Sequence, residues 1–94
     1  MRKITREAVA AFLGGRNFNK DNTEVQNGCM LLHGSVIARK DHSFVIVTTN
    51  GWNTLTTRER LNGIPNVSVR QQKGQLYLNG IPWDGSPTKV CVDG

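Results

Sequence analysis

Four Asn-Gly pairs, at Asn27-Gly28, Asn50-Gly51, Asn62-Gly63 and Asn79-Gly80, punctuate the chain. Both residues tolerate positive φ, so each pair marks a point where the backbone reverses or a helix stops. What lies between them is then a set of short segments joined by tight turns. The same placement argues against phosphate-cradling glycine loops, because glycines that follow Asn in turns do not form a Walker-type or dinucleotide fingerprint.

The pair Asn27-Gly28 joins a short strand over Thr23 to Gln26 to a loosely alternating run from Cys29 to Ala38. In that run Met30, Leu32, Val36 and Ala38 share one face. A turn over Arg39 to His42 leads into a β-branched strand from Ser43 to Thr49, with Phe44 and Ile46 on a common face. These three segments predict an antiparallel meander. A second hairpin is predicted across Lys73-Gly74, with Val69 facing Leu78, Gln71 facing Leu76, and Arg70 paired with Tyr77 on the other side. Asn79-Gly80 then brings Ile81 and Trp83 back beside Leu78, and Pro82 keeps that piece at an edge.

Two helices are expected. Ile4 to Leu13 carries Val9, Phe12 and Leu13 on one stripe, with Thr5 as N-cap, an Ile4/Val9 staple and Gly14-Gly15 as the stop. Arg16 to Asp21 reads as a surface loop. Within Asn50 to Pro65, Thr56 and Glu59 have capping-box spacing, Gly63 falls just after the helix cap, and Pro65 forbids continuation. Trp52 and Leu61 are assigned to the core there, as are Phe12, Phe44 and Trp83. The expected fold class is α+β: an N-terminal helix packed on an antiparallel sheet of about five strands, with a short capped helix between strands 3 and 4. Residues 1–85 are read as one domain and 86–94 as a tail, in which Thr88 to Val92 is either an edge strand or frayed. Leu-Asn-Gly-Ile-Pro occurs twice, at 61–65 and 78–82, and reads as coincidence rather than as a structural repeat.

Ninety-four residues suffice for one two-layer core without metal or disulfide staples. Twelve Lys and Arg against seven Asp and Glu give a net charge of +5 and a pI near 9.8. That balance suits an acidic partner, although the basic residues never run longer than two, as a solubility surplus would also have it. Cys29 and Cys91 lack metal spacing and read as buried or idle thiols of a cytosolic protein. Whether they approach one another is open. No apolar run reaches membrane-spanning length and no signal-peptide pattern follows Met1-Arg2-Lys3, so a soluble cytoplasmic protein is expected.

Catalysis is not expected. His33 and His42 are the two histidines, and neither has a partner at the spacing of a nucleophile, base or metal site. No cofactor or metal is implied. The residues singled out for a partner are Thr57, Arg58 and Arg60, whose hydroxyl, guanidinium and backbone donors suit a phosphate or carboxylate. One of the two arginines is expected to grip the partner while the other is solvated or paired to an acid. Arg70, Lys73 and Tyr77 form a second set, a thin platform on which a base could stack. The structural alternative is a capped connector, with Thr5, Trp52, Thr56, Glu59, Gly63 and Trp83 in scaffold roles.

Taken together, Arg2-Lys3-Ile4-Thr5, Asn22-Thr23-Glu24-Val25, Leu32-His33-Gly34, Gly51-Trp52-Asn53-Thr54, the run Thr56 to Gly63, Leu76 to Gly80 and Trp83-Asp84-Gly85 resemble a family of small bacteriophage and prophage proteins. The resemblance spans about residues 2–85 and brings no catalytic residues with it. It implies an accessory protein that acts by binding, most simply an inhibitor or redirector of a host protein or nucleoprotein complex such as a defence system. A direct RNA- or DNA-binding module is the alternative, and a nucleotide-sequestering sponge is a second one. The oligomeric state is open.

Overall fold

A computed structural model describes residues 2–91. The chain is α+β. Helix α1 (Lys3–Gly14) is followed by β1 (Phe18–Lys20), β2 (Thr23–Gln26), β3 (Cys29–Leu32), β4 (Ser35–Asp41) and β5 (Phe44–Val47). Then come α2 (Leu55–Leu61), β6 (Val69–Gln72), β7 (Gln75–Leu78), β8 (Ile81–Pro82) and β9 (Thr88–Cys91). All pairings are antiparallel and fall into two sheets, β1-β2-β3-β4-β5-β9 and β6-β7-β8.

The larger sheet has more strands than the spacing of turns predicts, for identifiable reasons. Phe18–Lys20, expected as loop, pairs with β2 because Phe18 stands opposite Val25 and packs against the core. The run from Cys29 to Ala38 is broken by a turn at His33-Gly34, where His33 adopts φ 53° and Gly34 φ 81°. A residue other than Asn held the positive-φ position there, which hid the turn. Residues 88–91 form the edge-strand form of the tail, paired to β5 from Phe44↔Cys91 to Val47↔Thr88; Val92 lies outside the described residues.

One face of the six-stranded sheet is buried. Thr23 and Val25, Met30 and Leu32, Val45 and Val47, and Val90 point inward as strand alternation requires. On β4 the consecutive residues Ile37 and Ala38 are both buried, at 1% and 0% exposure. A bulge accounts for this: Met30 pairs with Ala38 but Leu31 with Val36, leaving Ile37 as the extra residue. The opposite face is uncovered, and Phe44 lies there at 38% exposure with the Lys89 Nζ 4.8 Å from its ring centroid. Phe44 and Ile46 do share a face, but it is the outer one, which moves Phe44 out of the core. Cys29 and Cys91 are free thiols on β3 and β9, with β4 and β5 between them.

Helix α1 packs on β1, β2 and β3 and touches α2, which in turn bridges β4 and β6. Its cap lies three residues earlier than predicted: Arg2 is the N-cap, without a side-chain cap, and Thr5 is a buried helical residue rather than the cap. Gly15 ends the helix in the left-handed conformation, its N–H bonded to the Ala11 carbonyl. The smaller sheet has the predicted register, Val69↔Leu78, Arg70↔Tyr77 and Gln71↔Leu76. Its Val69, Leu76 and Leu78, together with Trp83, join the same buried cluster as α1 and the larger sheet.

The two Leu-Asn-Gly-Ile-Pro segments converge on one stretch. Asn62 Nδ2 donates to the Val69 carbonyl at 3.0 Å while its Oδ1 accepts from Val69 N at 2.6 Å. From the other side, Asn79 Oδ1 accepts from Ser68 N at 2.8 Å and its Nδ2 donates to the Asn66 carbonyl at 3.0 Å. Both amides stand in for peptide groups and satisfy backbone that no ladder reaches. The backbone conformations differ, since Asn79 has φ 52° and Asn62 is right-handed helical at φ −66°.

Candidate partner-binding surface

The stretch from Asn50 to Pro65 divides into an inward and an outward half. Asn50 and Gly51 make the turn at φ 50° and 81°, and Trp52 N donates to the Thr49 carbonyl. Thr54, not Thr56, is the N-cap of α2, its Oγ1 accepting from Thr57 N at 3.1 Å. With the helix begun two residues early, Glu59 has no capping role and turns instead toward α1. The Thr5 hydroxyl donates to Glu59 Oε1 and accepts from Arg60 Nη1, which also donates to that carboxylate. Arg60 Nε reaches Thr23 Oγ1 at 2.9 Å on β2, and Arg2 Nε lies 3.4 Å from Glu59.

This cluster reassigns three of the residues named for a partner or a cap. Arg60 is 4% exposed and Thr57 is fully buried, so neither presents to a partner. Arg60 is the arginine that is paired to an acid, and the acid is its neighbour Glu59. Gly63, read as the residue after the cap with left-handed backbone, has no positive φ. It is there for space: a Cβ would stand 2.6 Å from Thr5 Cγ2 and 2.9 Å from Val9 Cγ2. Thus α2 and α1 meet at glycine, and the arginine network sits beside that contact.

Burial pushes the Glu59 carboxyl up and the Arg60 guanidinium down. For Glu59 the Thr5 hydroxyl, the charges of Arg60 and Arg2 and a backbone bond from Arg2 outweigh that, and hold it below the usual carboxylate range. A lowered folded-state value means stability that is complete above the usual range and lost as pH falls through the folded value. Urea midpoints taken from about pH 7 down to about pH 3 are expected to fall on the acid side, and to fall less steeply in Glu59→Gln. An unchanged acid limb in the variant would remove Glu59 from the account.

The outward half is apolar. Trp52, assigned to the core from sequence, is 63% exposed, and Leu55 is 76% exposed. Trp52 lines a groove of ≈ 470 Å³ together with Leu32, Ile37, His33 and the threonines 54, 56 and 57, and Leu55 lies in sequence between two of those threonines. A second hollow of ≈ 480 Å³ shares Leu32, His33 and Thr56 and continues to Arg2 and Asp21. Arg58 turns toward the smaller sheet, its Nη1 donating to Asn53 Oδ1 at 2.8 Å and to Gln71 Oε1 at 2.7 Å. The signal for an exposed Leu55 was present in the sequence. Leu55 and Leu61 are six residues apart, roughly 120° around a helix of about 3.6 residues per turn, and cannot both face one core.

The structure does not add Arg70, Lys73 and Tyr77 to this surface. Gln71 reaches Arg58 from one face of the smaller sheet, whereas Arg70 and Tyr77 alternate to the other, with Tyr77 half-buried and Lys73 in the turn at φ 51°. Trp83 is buried as expected, its Nε1 donating to Thr88 Oγ1 and the Ser86 carbonyl. Among the described residues no group of three His, Cys, Asp or Glu is placed to hold a metal ion.

A family model for the Kyanoviridae Gp96 protein matches residues 1–92. The chain belongs to that family of phage proteins. The match covers α1, both sheets and the Trp52–Leu55 surface, so the whole described fold is the fold of this Gp96 chain. No curated protein and no solved structure matched it. No helix among its described residues is long and apolar enough to cross a membrane.

Proposed function

We propose that this Gp96-family protein acts in the host cytoplasm by binding, without chemistry of its own, and that its partner is a host protein assembly which it blocks or redirects. The observation that supports this reading is the exposed Trp52 lining a groove that includes Leu32 and Ile37, with the exposed Leu55 three residues on in the chain. A solvated tryptophan in a small domain is an anchor of the kind that dominates protein interfaces, where aromatic side chains fill partner pockets. Arg2 in the adjoining hollow, Arg58 bonded to the next residue Asn53, and the net charge of +5 favour a partner segment that alternates apolar and acidic residues. The basic character is thus retained from the sequence reading, but the contact is centred on Trp52 and Leu55, not on Thr57 and Arg60.

The test is recovery of a complex from nuclease-treated host lysate with the intact protein and with Trp52→Ala/Leu55→Ala. Both side chains are exposed, so the variant is expected to keep its melting temperature within a few degrees, while retention of the partner falls about a hundredfold or more. Equal recovery by the variant would place the contact elsewhere. Capture that vanishes after nuclease treatment and weakens steeply with salt would replace the protein partner by RNA or DNA, for which Arg70, Lys73 and Tyr77 are the residues to change.

A further inference from the structure

The four Asn-Gly pairs differ in what holds the asparagine side chain, and the difference has a chemical outcome. We infer that Asn27 is a site of spontaneous deamidation in the folded protein, and that Asn62 and Asn79 are protected by the same hydrogen bonds that fix the stretch 66–69. In this reaction the Gly28 nitrogen, on losing its proton, attacks Asn27 Cγ and forms a C–N bond. The Cγ–Nδ2 bond breaks, ammonia leaves with the proton, and a five-membered succinimide remains. Water then opens the ring at one of its two carbonyls: attack at Cγ breaks the new Cγ–N bond and gives aspartate, whereas attack at the main-chain carbonyl breaks the original peptide bond and gives isoaspartate, with an additional methylene in the backbone. Water is the sole co-reactant and no oxidant or reductant is needed.

Two groups must be free for this reaction: the side-chain amide, and the N–H of the following glycine. Asn27 is exposed in the turn between β2 and β3, with φ 52°, and its side chain has no hydrogen bond to any described residue. Gly28 engages the neighbouring strand through its carbonyl, which accepts from Lys40 N at 2.8 Å, and not through its nitrogen. Glycine also presents no Cβ to block the approach to Cγ. Asn50 is intermediate, because its Nδ2 donates to the Val36 carbonyl at 3.2 Å. Asn62 and Asn79 have both amide atoms engaged, and Gly63 N is itself bonded to the Arg60 carbonyl at 3.2 Å. Attack at these two requires the clamps to open first, which in a packed element occurs only in rare local excursions.

The intact protein, incubated at mildly alkaline pH and sampled by peptide mass spectrometry with isoaspartate-sensitive chromatography, reads the four rates directly. Asn27 is expected to convert first, Asn50 next, and Asn62 and Asn79 about tenfold or more slower than Asn27, since two hydrogen bonds must be released. In urea the four rates are expected to converge, because only the shared Asn-Gly chemistry then remains. Conversion of Asn62 or Asn79 as fast as Asn27 in the folded protein would overturn the inference. So would the same rank order and spread in urea, which would trace the differences to flanking residues and not to the fold.

Discussion

Replacing Arg60 by Ala is expected to cost about 3 to 5 kcal/mol, a large share of the roughly 5–15 kcal/mol available to a domain of this size. The side chain is 4% exposed and joins three elements, through Thr5 on α1, Glu59 on α2 and Thr23 on β2. Its removal deletes more than those bonds. The Thr23 hydroxyl, fully buried, loses its guanidinium donor, and Glu59 is left with Thr5 and the exposed Arg2. For a chain of this length such a loss lowers the melting temperature by roughly 15 °C or more. Arg60→Lys is expected to recover little, since one ammonium cannot reproduce the divergent Nε and Nη1 bonds. Arg58→Ala, which removes bonds at an exposed site, is expected to cost about 1 kcal/mol or less. Urea unfolding of the three variants decides the matter, and a loss at Arg60 no greater than at Arg58 would mean the buried network does not hold the elements together.

The second large effect is expected at Gly85. Its φ of +86° is costly for any residue with a side chain, and an added Cβ would stand on Thr49 Oγ1, with Thr49 Cβ and Cγ2 each at 3.4 Å. That position cannot relax freely, because the Gly85 carbonyl accepts from Thr49 N at 3.0 Å and from Thr48 Oγ1 at 2.7 Å, fastening the approach to β9 against the end of β5. Backbone strain of about 1–2 kcal/mol and overlap of about 1–3 kcal/mol make Gly85→Ala a loss of roughly 3 kcal/mol. The two parts are separable. Thr49→Ala in the Gly85→Ala background removes the overlap but not the strain, so the double variant is expected to regain part of the loss. No recovery would assign the whole effect to the backbone.

Local chemistry made much of the fold legible. The hairpin over Lys73-Gly74 has its expected register because a two-residue turn fixes which residues face each other, and Val69, Leu76 and Leu78 all needed burial. The His33-Gly34 turn was not legible because His33 also fits the alternation of the run around it, and the bulge at Ile37 reproduced an apolar run that looked continuous. Capping was misread twice for one reason. Thr5 and Glu59 each have the spacing of a local cap, but their tertiary contact with one another, with Arg60 joining it, claims both, and no pattern within eight residues can report a partner more than fifty positions away.

The candidate surface was half legible. The segment from Asn50 to Pro65 was identified, yet its residues were sorted the wrong way round: the arginine and threonine that appeared available are interior, and the tryptophan assigned to packing is outside. Charge and hydrophobicity are poor guides to burial when an arginine has three acceptors to satisfy it and a tryptophan has a neighbouring groove in place of a core.

The paired asparagine clamps bear on how the molecule opens. A sheet of three short strands attached through a helix would ordinarily be the weakest unit of such a fold, fluctuating open while the larger sheet stays formed. Here the amides of Ser68 and Val69, on the connection that would have to separate first, are held by side chains from the end of α2 and from the β7-β8 turn. Slow hydrogen exchange at these two positions is the signature of that arrangement. The small sheet is then expected to open together with the large one, with exchange protection at Ser68 and Val69 matching that of the large sheet's core strands.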